Sequence, residues 1–312
     1  MDEFELIRQY FLALTPPRKD VRLGIGDDAA LLKLPAGAEL AVTTDTLVAG
    51  THYAEDASAY DIGWKSLAAN LSDLAAMGAE PRWFTLALTL RMVDNEWLKG
   101  FAAGLRDLAA QSGIALVGGD TTQGPPSITI TAMGMVPAGK ALRRSGAKVG
   151  DLVCVTGTLG DAALALRGAS GAEIPELLHE RLVRPTPRTD VGLALRDLGH
   201  AAIDLSDGLA GDLSHILDAS GVGAEIRLDA LPMSDDFRNL TEPAERLALQ
   251  AGGGDDYELC ICLPAAQLKT LKSLVSVPVT PIGKIVKTPG LKMLNAKGKA
   301  VPFEAYGYRH FS

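Results

Sequence analysis

Five short turns in this 312-residue chain hold the residues best suited to chemistry. They are Gly26-Asp27-Asp28, Thr43-Thr44-Asp45, Gly118-Gly119-Asp120, Asp204-Leu205-Ser206-Asp207 and Gly253-Gly254-Asp255-Asp256. Asp73 adds a carboxylate inside an Ala-rich apolar stretch. Glycines and hydroxyls flank these acids, as they would flank a phosphate. A carboxylate repels phosphate unless a cation lies between them, so the pattern reads as a site for several hard divalent cations bridging protein to phosphate oxygens. An oxygen-rich donor set selects Mg²⁺ or Mn²⁺, and only five histidines argue against zinc or histidine acid–base chemistry.

Each candidate also has a plainer reading. Thr43, Thr44 and Asp45 offer three consecutive oxygens, or form a turn with an Asx cap. Asp27 and Asp28 are adjacent acids that repel without a cation, or they shape a turn. Asp73 is costly to ionise among Leu67, Leu71 and Leu74, with Asn70 on the same helical face. It needs a metal, or a buried Arg. Gly119 permits close backbone approach to a phosphate, with Asp120 able to hold metal. Asp204 and Asp207 straddle a strand-to-helix turn whose backbone N–H groups favour an anion, and Ser206 is a phosphate contact or an N-cap. Arg143-Arg144-Ser145-Gly146-Ala147-Lys148 is a compact basic stretch, either a grip on a triphosphate or a solvated loop.

Alternating and helical periodicities place these turns. Residues 1–14 predict a helix closed by Pro16-Pro17. Residues 39–43 predict a strand that ends at Thr44-Asp45. Asp61 reads as the N-cap of a helix through residue 77, stopped by Gly78. Strand 84–90, helix 94–112 capped by Gly113, and strands 114–117 and 127–136 follow. Residues 137–150 lack periodicity and mark a boundary, giving domains 1–137 and 138–312. Beyond it come strand 152–155, helix 162–168, strand 201–205, a helix over 207–220 and strands 224–228, 258–263 and 277–285. Asp45, Asp120 and Asp207 then fall at strand C-terminal ends, where open α/β sheets bind ligands.

Composition narrows the classes further. A net charge of −8 argues against nucleic acid or an anionic membrane surface as partner. The acidic N-terminus shows no signal-like run, and no segment is apolar enough to span a bilayer. Cys154, Cys260 and Cys262 have no metal-type spacing and suit a reducing, cytoplasmic setting, with Cys260 and Cys262 on one face of a core strand. There is no P-loop, no protein-kinase signature and no Gly-x-Ser-x-Gly elbow. Gly24-Ile25-Gly26 lacks the third glycine of a dinucleotide fingerprint.

Taken together, the turns resemble the thiamine-monophosphate kinase family of the aminoimidazole-ribonucleotide-synthetase-like superfamily. Matching stretches run in order from 24–31 to 253–259, the most specific being Asn70 to Ala79 and Gly254-Asp255-Asp256-Tyr257-Glu258-Leu259. The resemblance implies a mixed α/β and α+β fold of two domains, the first forming a β-barrel across a homodimer. It implies transfer of the ATP γ-phosphoryl to thiamine monophosphate, with ATP as co-substrate and several Mg²⁺ ions. By motif position it assigns Asp28, Thr43, Thr44, Asp45, Asp73, Asp120, Asp204 and Asp207 to Mg²⁺. Gly119, Asp120, Arg144 and Ser206 fall to ATP, and His52, Asp255 and Tyr308 to thiamine monophosphate. Relatives commonly carry Glu where this chain has Asp255. His52 also reads as a surface histidine, and Tyr308 as core packing in an aromatic tail. No general base is implied. Metal-assisted in-line attack supported by Asp45, Asp73 and Asp207 suffices, because the acceptor phosphate is already largely ionised. The rivals are another ATP-using superfamily member and a non-catalytic cation binder. A selenium enzyme wants a reactive Cys near the N-terminus, and none precedes Cys154.

Overall fold

The computed structural model describes residues 3–168 and 174–302. The chain divides into two compact units, Met1–Leu74 with Ala79–Gly139, and Ala75–Gly78 with Lys140–Ser312.

The first unit opens with the short helix α1 (Glu3–Leu6), which widens and then tightens through residues 7–14. A small ribbon pairs β1 (Val21–Leu23) with β2 (Leu31–Leu32). The main sheet has four strands: β3 (Ala38–Val48), β4 (Glu80–Leu90), β5 (Ala115–Gln123) and β6 (Ser127–Pro137). Their order is β3-β6-β4-β5, with β4 and β5 parallel and the other pairs antiparallel. Helices α2 (Ala59–Ala76) and α3 (Asn95–Ser112) bury Leu67, Leu71, Leu74, Leu98, Phe101 and Leu105 in one core with Leu86 and Ile130 of the sheet. Asp94 caps α3 by accepting N–H bonds from Glu96 and Trp97, and Gly113 ends it at φ 67°. The start of α2 differs from expectation. Ile62 N–H bonds to the carbonyl of Ser58, so Asp61 lies inside the first turn. Among the described residues no sheet closes into a barrel.

β3 runs past its expected end. Thr43, Thr44, Thr46 and Val48 favour extended backbone, and β3 pairs with β6 without a break from Ala38 opposite Pro137 to Val48 opposite Ser127. Asp45 and Asp120 therefore lie within strands, not at strand ends.

The second unit is a seven-stranded sheet: β7 (Leu152–Thr156), β8 (Ala201–Leu205), β9 (Gly223–Arg227), β10 (Glu258–Leu263), β11 (Val279–Val286), β12 (Gly290–Leu294) and β13 (Ala300–Val301). Their order is β13-β12-β9-β11-β7-β10-β8, and among the described residues only β12 with β9 is parallel. Helices α4 (Asp161–Gly168), α5 (Glu176–Val183), α6 (Thr189–Leu195), α7 (Leu209–Ser220), α8 (Asp235–Leu240), α9 (Pro243–Gly252) and α10 (Leu268–Leu274) surround it. Apolar residues of α7 cover one face of the central strands, and residues of α6 and α10 cover the other. Every residue of β8 and β10 is buried, which explains why they are apolar apart from Asp204 and Glu258. Cys260 and Cys262 sit in that core, and Cys154 sits in the core of the opposite face. Burial pushes the Cys154 thiol up to about 12 and the other two upward as well.

Candidate active site

In the first unit the strand period of two sorts the candidates. Thr43 and Asp45 share the face of β3 that carries buried Leu47, turned toward α2 and α3. Thr44 points the other way and shares a 2.9 Å hydroxyl contact with Thr131 on the exposed face. The three oxygens that are consecutive in sequence are thus not on one face.

Asp73, on α2, meets the Thr43–Asp45 face. The Thr43 hydroxyl donates to Asp73 Oδ2. The Asp45 carboxyl is pushed up to about 7 by burial first, then by the charge of Asp73 and a hydrogen bond with it. One turn before Asp73, the buried Asn70 Oδ1 has no hydrogen-bond partner, although Asn70 Nδ2 donates to the Ser66 carbonyl at 3.1 Å. This corner therefore holds two mutually repelling carboxylates, a hydroxyl and an orphaned amide oxygen. All are hard donors, and a divalent cation would relieve their repulsion. Among the described residues no group of three or more His, Cys, Asp or Glu gathers closely enough to hold a metal by itself.

Asp120 is exposed and shares a strand rung with Ala87, Thr129 and Thr46, on the face away from the helices. Gly119 has φ 152°, and a Cβ there would land on the Leu86 carbonyl, so the neighbouring strand itself demands glycine. Asp28 is exposed, and Asp27 accepts its N–H at 2.8 Å. Asp27 thus shapes its own turn. His52 Nδ1 accepts the Val48 N–H at 3.0 Å, which puts the neutral ring's proton on Nε2. The buried Lys65 ammonium donates to the His52 carbonyl at 3.3 Å.

In the second unit two turns meet. Asp204 lies in β8, buried and opposite Leu259 of β10. Ser206 and Asp207 follow, and then Gly208 opens α7 at φ 116°. The Asp255 N–H bonds to the Ser206 carbonyl at 2.9 Å, and the Tyr257 N–H to the Leu205 carbonyl at 2.8 Å. Asp255 (φ 66°) and Tyr257 (φ 48°) are left-handed without being glycine, a strain of roughly 1–2 kcal/mol per residue that the two bonds sustain. Asp256 is buried and accepts the Gly160 N–H at 2.9 Å, so it holds the 157–160 turn while Asp255 stays half-buried. Burial raises the Asp256 carboxyl well above its usual range.

The turn leading into α7 is tied to the helix itself. The N–H groups of Ser206, Asp207 and Gly208, which lead into the helix, are taken by Asp212, a residue of that helix with no part in the five turns. Burial, then the charge of Asp207, pushes Asp212 up to about 7 against the pull of those bonds. Its only sequence signal is an Asp four residues after the helix-opening glycine.

Arg143 and Arg144 are exposed, and their loop is pinned to the end of α7. Ser220 Oγ accepts the Gly146 and Ala147 N–H groups and donates to the Arg144 carbonyl. A second feature not read from sequence is Glu258, 1% exposed, which takes bonds from Arg188 and from the Thr156 hydroxyl at 2.6 Å. Tyr308 lies outside the described residues.

Residues 26–136 match the N-terminal domain, and residues 148–294 the C-terminal domain, of AIR synthase related protein. A thiamine-monophosphate kinase of Salmonella typhimurium is 47% identical over 99% of this chain and 98% of its own. The chain belongs to the thiamine-monophosphate kinase family. The crystal structure of thiamine-monophosphate kinase from Stenotrophomonas maltophilia K279a superposes with TM-score 0.89 at 47% identity, covering 96% of this chain and 98% of its own. AaThiL complexed with AMPPCP and TMP gives TM-score 0.79 at 30% identity over 92% of each chain. The fold expected from the resemblance, two domains of mixed α/β content, is therefore the fold of this family.

Proposed function

We propose that this chain transfers the γ-phosphoryl of ATP to thiamine monophosphate, giving thiamine diphosphate and ADP. The observation that carries this reading is the pairing of Asp45 with Asp73, whose repulsion a cation would relieve, in a chain 47% identical to a thiamine-monophosphate kinase along its length. The AaThiL complex with AMPPCP, a triphosphate analogue of ATP, and TMP supports both substrates.

Asp45, Asp73 and Thr43 in the first unit, and Asp204 and Asp207 in the second, are the residues that would hold Mg²⁺, with Asp28, Thr44 and Asp120 assigned by motif alone. Bound there, Mg²⁺ would neutralise the phosphate charges and align donor with acceptor. The protein supplies no general base. A phosphate monoester has its second pKa near about 6, so the acceptor oxygen is already anionic at neutral pH. The His52 Nε2–H is a donor for the acceptor, and Asp255 is held in place for it by the Ser206 carbonyl. Tyr308 completes the acceptor set by motif. Arg144, on its pinned loop, is the cation for the nucleotide phosphates, with Gly119, Asp120 and Ser206 as further ATP contacts by motif.

Residues 1–137 form the ATP/Mg²⁺-binding and dimerisation part, and residues 138–312 the second α/β domain. The homodimer reading draws on β3, an edge strand exposing Val42 (57%) and Leu40 (40%), which a second copy would cover. Closure of a barrel would take place there. No helix among the described residues is long and apolar enough to cross a membrane, and the setting is the cytoplasm. Incubation with Mg²⁺-ATP and thiamine monophosphate tests the function. Thiamine diphosphate and ADP should form one for one. ATP left unchanged, or ADP without thiamine diphosphate, overturns the proposal.

A further inference from the structure

Asp212 sits one turn inside α7 and is 4% exposed. Its Oδ2 accepts the N–H of Ser206 at 3.1 Å, of Asp207 at 3.2 Å and of Gly208 at 3.1 Å. Three successive N–H groups converging on one oxygen form a backbone nest, the device that binds free phosphate at other helix starts. Here the chain's own carboxylate fills it, just ahead of the first residue of α7.

The nest is also the hub of two turns. Its first two members lie in the Asp204–Asp207 segment. The carbonyl of Ser206 receives the Asp255 N–H, and that of Leu205 receives the Tyr257 N–H. The turns touch backbone to backbone. A Cβ on Gly208 would come within 3.0 Å of the Gly253 carbonyl, and one on Gly254 would strike the Ser206 carbonyl. A shift of residues 206–208 therefore moves Asp207 and Asp255 together.

We infer that Asp212 is the positioning residue of this site: its buried carboxylate, seated in the nest, sets both the Asp204–Asp207 turn and the Asp255 turn. This rests on the proposed kinase reading, and the experiment keeps the two separable.

The full chain is assayed with Mg²⁺-ATP and thiamine monophosphate, unsubstituted and as Asp212→Ala and Asp212→Asn. Alanine removes the acceptor, and asparagine keeps an oxygen for the three N–H groups. Asp212→Ala is expected to lower kcat on the order of 100-fold, as misplacement by an ångström does. It should also raise the Mg²⁺ concentration for half-maximal rate about tenfold or more, as loss of an orienting partner does. Asp212→Asn should restore most of both. Normal kcat and Mg²⁺ dependence in folded Asp212→Ala overturns the inference. So does a loss explained wholly by a smaller folded fraction with kcat per folded molecule unchanged.

If Asp212→Ala does not fold, hydrogen exchange on the unsubstituted, ligand-free protein decides. The amides of Ser206, Asp207, Gly208 and Asp255 should exchange slowly. Fast exchange that slows only on adding ATP shows an open nest and refutes the assignment. An unsubstituted chain that makes no thiamine diphosphate, yet protects these amides, removes the kinase reading and leaves the nest intact.

Discussion

Asp45→Asn should make the metal-free protein more stable while removing its activity. The Asp45 carboxyl is raised from 3.8 to about 7 by burial and by Asp73. A folded-state pKa above the unfolded one means that the fold holds the proton more tightly than the open chain. Stability is then lost as pH rises from about 4 to about 7, and the loss is complete above that. Three units correspond to about 4 kcal/mol as an upper bound. Asp45 is only partly buried, so screening reduces this to roughly 2 kcal/mol. Asparagine carries no charge, and its amide can still donate to Asp73. Urea unfolding in EDTA should show Asp45→Asn ahead by roughly 2 kcal/mol near about pH 8, with the gain shrinking toward about pH 4. Saturating Mg²⁺ should stabilise the unsubstituted protein and close or invert the gap, because ligand binding adds RT ln(1 + [L]/Kd) only where the site is intact. Thiamine diphosphate formation should fall on the order of 100-fold. A less stable Asp45→Asn in EDTA at the higher pH, or a gain equal at both pH values, refutes the reasoning.

Glu258→Gln should cost about 3 kcal/mol in thermal or urea unfolding, because it strands the buried Arg188 guanidinium. Replacing Arg188 by Met in the same chain should recover part of that. Gly119→Ala should lower the unfolding midpoint by the equivalent of roughly 1–3 kcal/mol, since its Cβ meets the Leu86 carbonyl at a φ that disfavours side chains. Unchanged stability there would mean that β5 can shift. The three cysteines are buried, with thiols displaced upward. Native protein should resist a thiol reagent that labels all of them once urea is added, and rapid native labelling would contradict the burial.

Much of the architecture was readable because local rules and packing agree. Asp94 and Gly113 bracket α3 at the expected places. The expected strands 201–205 and 258–263 are β8 and β10, buried along their whole length. Element ends were harder. β3 was expected to stop at Thr44-Asp45, because an Asp after a threonine pair reads as a turn. Pairing with β6 along eleven residues carries it on to Val48. That extension puts Asp45 inside a strand, where neighbouring side chains face opposite ways, and so separates Thr44 from it.

The amino-acid sequence by itself determined the chemistry on offer: hard carboxylate and hydroxyl oxygens beside glycines, few histidines, and apolar periods strong enough to place most helices and strands. Those depend only on residue type and on spacing along the chain. Tertiary structure decided which oxygens act together. Asp45 and Asp73 meet because α2 packs on the face of β3 that holds Thr43. The turn before α7 is held because Asp212 reaches back to its N–H groups, and Glu258 finds Arg188 seventy residues away. Such pairings depend on register, facing and burial. Those are settled only when the whole core packs, since that is when a buried charge must find its partner.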